Sequence, residues 1–197
     1  MARRIDYYLS LLSPFTYLAG HRLEDIASRH GCRIDYKPVD IVRVFAETGG
    51  VPLPKRAPER RAYRLIDMAR VARRQGMPIN LEPMHFPTDA APASQLVIAA
   101  QEAGQDVSDL TSGFLRAVWA EERNVADPAT IREVAEENGI DYSKLEDAAR
   151  EAGETYAANT SEAIACGVFG MPSYVYRNEV FWGQDRLDYL DDALEAS

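Results

Sequence analysis

Apolar positions along this chain switch between three spacings, and the switches mark its elements. Ile5 to Leu12 is a short run rich in Tyr, Ile and Leu, which predicts a buried strand. Phe15, Leu18, Ala19, Leu23, Ile26 and Ala27 then recur at helical spacing up to His30-Gly31, so one helix is expected there. Arg33 to Val39 alternates, with Ile34 and Tyr36 on one face, and predicts a second strand. Two strands joined through a helix should pair in parallel with a right-handed crossover.

The middle of the chain is helical. Gly49 to Pro58 predicts a loop, followed by a helix from Glu59 to Gln75 with Leu65, Met68, Ala69 and Ala72 on one face. Gly76 to Pro92 is rich in proline and predicts a long irregular connection, of the kind that often carries function. Helices are expected over Ser94–Ala103 and Asp109–Glu122, from Asp127-Pro128 to Asn138-Gly139, and over Asp141–Ala152 and Thr155–Cys166. Strand character returns at Ser173–Tyr176 and Glu179–Trp182 around Arg177-Asn178, a hairpin signal, and Gln184–Ala196 closes as an amphipathic helix. The order is βαβ, a helical block, then ββα. We expect an α/β domain formed by residues 1–45 and 165–197, with residues 46–164 as an all-helical insertion.

Charge narrows the partners. The 197 residues carry a net charge of −9, which argues against a nucleic-acid binder because phosphate contacts need a broad basic surface. No apolar run is long enough for a membrane span, and the N-terminus enters a strand without a signal-peptide core. Cys32 and Cys166 lie far apart, the pattern of a reduced, cytoplasmic protein with unpaired thiols. His21, His30 and His85 show no metal-ligand spacing, so no metal is expected.

Candidate chemistry begins at Ser13-Pro14, where a strand gives way to a helix. A helix start offers unpaired N–H groups, an environment that stabilises an anion such as a thiolate. Ser13 also reads simply as an N-cap with proline in the first helical position. A second signal is Gly170-Met171-Pro172 before a strand. A nucleophile-type residue opening a helix, paired with a distant Gly-x-Pro, marks the active site of a thioredoxin-like fold, and there the proline is cis. The vicinal cysteines of redox members are missing. Phe181-Trp182-Gly183-Gln184-Asp185-Arg186 ends a strand, and its N–H groups with Asp185 offer a place for an amino acid's charged groups. Eight of the chain's 22 Lys and Arg lie between Lys55 and Arg74, a solvated helix face or an anion site.

Together these segments resemble the 2-hydroxychromene-2-carboxylate isomerase family, kin of kappa-class glutathione transferases within the DsbA-like thioredoxin folds. The resemblance rests on Tyr7–Ala19, Pro58–Arg70, Gly167–Pro172 and Phe181–Leu187. It implies glutathione as cofactor, Ser13 as the hydrogen-bonding partner of its sulfur, Met171 beside Pro172 as the backbone contact of its cysteinyl unit, and Gln184 with Asp185 at its γ-glutamyl end. It implies reversible thiolate addition to an aromatic enone acid, with Arg60 as the cation for the substrate carboxylate and Phe45, His85 or Phe86 as an apolar wall. It also implies a homodimer. The family pattern has Asp where Ser10 stands, Asn near Gly49-Gly50 and Lys at Arg60. Two other functions share this site: a kappa-like glutathione transferase or peroxidase, and a non-enzymatic thiol- or peptide-binding module.

Overall fold

A computed structural model describes residues 3–196. Its centre is a four-stranded sheet in the order β2-β1-β3-β4, formed by Arg4–Leu9 (β1), Arg33–Pro38 (β2), Ser173–Tyr176 (β3) and Glu179–Trp182 (β4). β1 and β2 are parallel in a register that sets Tyr7 beside Tyr36. β3 runs antiparallel to β1, with Tyr7 opposite Tyr174, and β4 runs antiparallel to β3. Arg177 and Asn178 both have positive φ, 51° and 66°, which makes the expected hairpin turn.

Two elements depart from the sequence pattern. The expected first helix is two pieces, Pro14–Tyr17 (α1) and Arg22–His30 (α2). Ala19 and Gly20 donate to the carbonyls of Thr16 and Tyr17, which tightens the chain, and Gly20 then enters the left-handed region at φ +58°. Leu18 and Ala19 are buried in the bend itself, so the apolar spacing runs on although the helix does not. The second departure is a helix at Ile41–Thr48 (α3), capped by the Asp40 carboxylate, in a stretch whose β-branched residues gave no helical signal.

The remaining helices are Pro58–Gln75 (α4), Ala91–Glu102 (α5), Ser108–Trp119 (α6), Pro128–Glu137 (α7), Tyr142–Glu151 (α8), Gly153–Ala165 (α9) and Leu187–Glu195 (α10). Apart from that of α9, their apolar faces and one face of the sheet form a single buried cluster, from Ile5, Leu9 and Tyr174 through Leu96 to Phe114 and Trp119. On the other face Tyr8, Val44, Ala163, Val168, Met171 and Val175 form a smaller cluster that seats α3 and α9 against β1 and β3. Lys37 is buried at that side and its ammonium bridges both carboxylate oxygens of Glu162 at 2.7 Å, tying β2 to α9. Lys37 Nζ also lies 3.5 Å from the Asp6 carboxylate and 3.9 Å from that of Asp35, so one buried cation is shared by carboxylates on β1, β2 and α9. The loop that α9 feeds, Cys166–Pro172, returns the chain to the end of β1.

Candidate active site

Ser13 sits where β1 ends. A tight turn, with Ser13 N–H donating to the Ser10 carbonyl at 3.0 Å, aims the chain into α1. The Ser10 hydroxyl accepts from Leu12 N–H at 3.3 Å, so this buried serine serves the turn. Ser13 is 4% exposed and its Oγ works twice: it accepts from Thr16 N–H at 3.2 Å as an N-cap and donates to the Met171 carbonyl at 2.9 Å. Both readings of Ser13 therefore apply at once. The Met171-Pro172 peptide is cis. Ser173 Oγ donates to Gly170 O at 2.7 Å, and Gly183 N–H donates to Pro172 O at 2.9 Å. These bonds join the proline loop to the corner between β4 and α10.

Ser13, Met171, Pro172 and the Gln184-Asp185 corner are thus linked by hydrogen bonds. At that corner the Asp185 carboxylate is exposed and paired only with its neighbour Arg186, at 2.7 Å. The amide N–H groups of Phe15, Met171, Gln184 and Asp185 have no acceptor among the described residues. A thiol-containing peptide would find free N–H donors, one hydroxyl and an exposed carboxylate whose partner is the neighbouring exposed Arg186. Because α1 is a single turn, it has no long stack of peptides behind it, and anion stabilisation at Ser13 rests on these local donors.

The basic segment folds into a comb. Arg56, Arg60 and Arg64 lie four residues apart, and their charges act on one another: Arg60 helps lower the Arg56 pKa, and Arg56 that of Arg64. Burial is the larger cause in both, and it pulls the Arg64 guanidinium down to about 10. Arg64 lies over the Phe86 ring at 5.8 Å and the Trp119 ring at 5.7 Å. Together with Leu65, Leu81 and Pro83 it lines a cleft of about 440 Å³. Phe86 is half-buried in that cleft, whereas Arg60 and His85 are exposed and neither lines it. Phe45, on α3, lies under the Arg56 guanidinium at 5.7 Å. A side chain at Gly50 would collide with the Phe45 ring, which fills the space an Asn there would need. Tyr17 donates from its hydroxyl to the Pro78 carbonyl at 2.6 Å and so joins α1 to the loop that carries Leu81 and Phe86.

Arg64 and Trp119 were not singled out from the sequence; the signal that could have found Arg64 is the repeat of arginine at every fourth position from 56. A larger hollow of about 530 Å³, lined by Cys32, Tyr36, Gln101 and Asp106, includes none of the residues around Ser13. The smaller cleft includes none of them either, but it has the better chemistry for an aromatic anion, since the half-buried Arg64 cation and the Phe86 ring both line it while Trp119 is fully buried. Both cysteines are free, Cys32 between α2 and β2 and Cys166 at the exposed end of α9.

The sheet order, the cis proline facing a helix start and the helical block define a thioredoxin-like protein of the DsbA type. The family described as the DSBA-like thioredoxin domain matches residues 4–195. A 2-hydroxychromene-2-carboxylate isomerase of Sphingobium xenophagum is 32% identical over 98% of this chain and 99% of its own length. One from Pseudomonas putida is 30% identical over 96% and 93%. The solved structure of a 2-hydroxychromene-2-carboxylate isomerase superposes with a TM-score of 0.79 at 28% identity, covering 98% of this chain and 95% of that one. A probable DsbA oxidoreductase from Streptomyces coelicolor shares the fold, with a TM-score of 0.77 at 18% identity over 98% and 89%. The chain belongs to the DsbA-like thioredoxin family and, within it, to the 2-hydroxychromene-2-carboxylate isomerase family.

Proposed function

We propose that this protein is a glutathione-dependent isomerase of an aromatic enone acid resembling 2-hydroxychromene-2-carboxylate. The observation that carries the reading is the Ser13 hydroxyl, held by its cap bond and aimed at the carbonyl of Met171. Bound glutathione would supply a thiolate that adds to a conjugated enone and leaves again, allowing rotation about the bond between. The chain's residues position and stabilise charge for this reaction.

Ser13 has one proton to donate, and it rests on Met171 O. An amide N–H arriving at that carbonyl would displace it and turn the hydroxyl toward a sulfur. Met171 N–H and Phe15 N–H supply further donors, and the Asp185 carboxylate suits an α-ammonium group. In the cleft, Arg64 beside Phe86 suits a planar ring carrying a carboxylate, with Arg61 on the same lining as a second cation. Two free thiols fit a reducing compartment, and the homodimer implied by the family resemblance belongs to the same proposal.

Titrating the thiol of bound glutathione by its ultraviolet absorbance tests the reading. Its pKa should lie below that of free glutathione, and the protein should convert one geometric isomer of an aromatic enone acid to the other only when glutathione is present. An unchanged thiol pKa, or isomerisation at the same rate without glutathione, sinks it.

A further inference from the structure

Arg22, the first residue of α2, has no part in the chemistry above, yet it reaches across the molecule to the β4–α10 corner. Its guanidinium donates to the Gln184 carbonyl at 2.8 Å and to the Asp188 carboxylate at 3.2 Å. The other backbone ties of this corner, Gly183 N–H to Pro172 O and Arg186 N–H to Gly183 O, come from the strands or from the corner itself. Arg22 is the tie that arrives from α2. The Asp188 pair is solvent-exposed on the Asp side, at 89%, and contributes little on its own. The bond to Gln184 O is the informative one.

The carbonyl of Gln184 and the N–H of Asp185 belong to one peptide unit, and in a trans peptide these two groups point in opposite directions. With the oxygen held by Arg22, the Asp185 N–H faces away from α2, and it has no acceptor among the described residues. A cation on the oxygen draws electron density through the peptide and makes that N–H a stronger donor.

We infer that Arg22 is a positioning residue for anion recognition: it clamps and polarises the Gln184-Asp185 peptide so that the Asp185 N–H binds the α-carboxylate of the ligand's γ-glutamyl unit. The inference rests on the glutathione reading. It gives the corner two opposite functions one residue wide, an N–H for the carboxylate and the Asp185 side chain for the ammonium.

The test is a binding cycle by calorimetry. Two ligands, glutathione and 4-aminobutanoyl-cysteinylglycine, which lacks only that α-carboxylate, are titrated into wild type, Arg22→Met, Arg22→Lys and Asp188→Asn. Arg22→Met should weaken glutathione about tenfold, the scale of one charge-assisted hydrogen bond, and the decarboxy ligand less than about twofold. Arg22→Lys should recover part of the loss, and Asp188→Asn should change neither ligand by more than about twofold. Should Arg22→Met not fold, the Lys variant carries the same comparison with a smaller difference expected. Equal weakening of both ligands, or a loss in Asp188→Asn as large as in Arg22→Met, overturns the assignment in favour of a role in the fold. If wild type prefers glutathione and the Arg22 variants keep that preference in full, the positioning role is wrong while the glutathione reading stands. If wild type binds neither ligand, the glutathione reading itself falls.

Discussion

Replacing Ser13 with alanine separates the two jobs of one oxygen atom. The substitution leaves the Thr16 N–H without its cap, which costs about 1 kcal/mol. It also leaves the buried Met171 carbonyl without its donor, at about another 1 kcal/mol. The sum of roughly 2 kcal/mol should lower the melting temperature by about 4–8 °C for a chain of this size, measured by calorimetry. Function should suffer in a different quantity. A hydroxyl donating to a thiolate is a charge-assisted bond worth about 1.5–3 kcal/mol, so the thiol pKa of bound glutathione should rise by about one to two pH units in the variant. Turnover at neutral pH should fall by at least tenfold, while glutathione affinity changes less, because the contacts proposed for Met171 and Asp185 do not use this hydroxyl. Ser13→Thr keeps the hydroxyl and should retain most of the thiol shift. If Ser13→Ala loses stability as computed but its bound thiol titrates where the wild type's does, Ser13 is a cap and nothing more.

Arg64→Met should slow isomerisation of an aromatic acid by about 1.5–3 kcal/mol in kcat/KM and leave a neutral electrophile such as a halonitrobenzene nearly unaffected; Arg60→Ala, at an exposed position, should do less, and equal losses with both substrates would remove Arg64 from carboxylate binding. Because burial pulls the Arg64 guanidinium down to about 10, acid binding should decline as pH rises through that value, as a pH profile of KM would show. Glu24, whose carboxyl is pushed up by burial and accepts from the Tyr36 hydroxyl at 2.6 Å, binds its proton more tightly folded than unfolded. Stability from this group is therefore greatest at low pH and declines as pH climbs above the ordinary value of 4.5, so Glu24→Gln should flatten that decline in melts taken from about pH 4 to 8. A Cys32→Ala/Cys166→Ala double variant should keep its activity, and loss of turnover with an intact fold would move the nucleophile to a protein thiol.

The strands were legible because their signals are local. Alternation at Ile34 and Tyr36 and the Arg177-Asn178 turn needed no knowledge of distant contacts. Helices with caps, such as the one opened by Asp127-Pro128, were equally plain. The break between α1 and α2 was hidden because burial, not helicity, sets apolar spacing, and Leu18 and Ala19 are buried in a bend. Only Gly20 hinted at it. α3 escaped because Ile, Val and Val suit a strand, and its helix is stabilised by packing Val44 against Val168 and Met171, residues more than a hundred positions away. The site followed the same division. Ser13 and Met171-Pro172 announce themselves by motif. Arg64 is one of seven arginines in its stretch until Phe86 and Trp119 arrive beside it, and Arg22 shows no pattern at all until the corner at Gln184 folds against it.

The hydrogen bond from Tyr17 to Pro78 has a consequence for how such enzymes diversify. Tyr17 is the last residue of the turn that Ser13 opens, and Pro78 begins the loop whose Leu81 and Phe86 wall the cleft. Selection for a differently shaped acid acts first on that loop. Each insertion or deletion there pulls on the same turn that aims the Ser13 hydroxyl. Lineages that exchange substrates should therefore carry paired changes, one in the loop and a compensating one at or near Tyr17, and a loop transplanted alone from a relative should arrive with its new shape but a misaligned Ser13 hydroxyl.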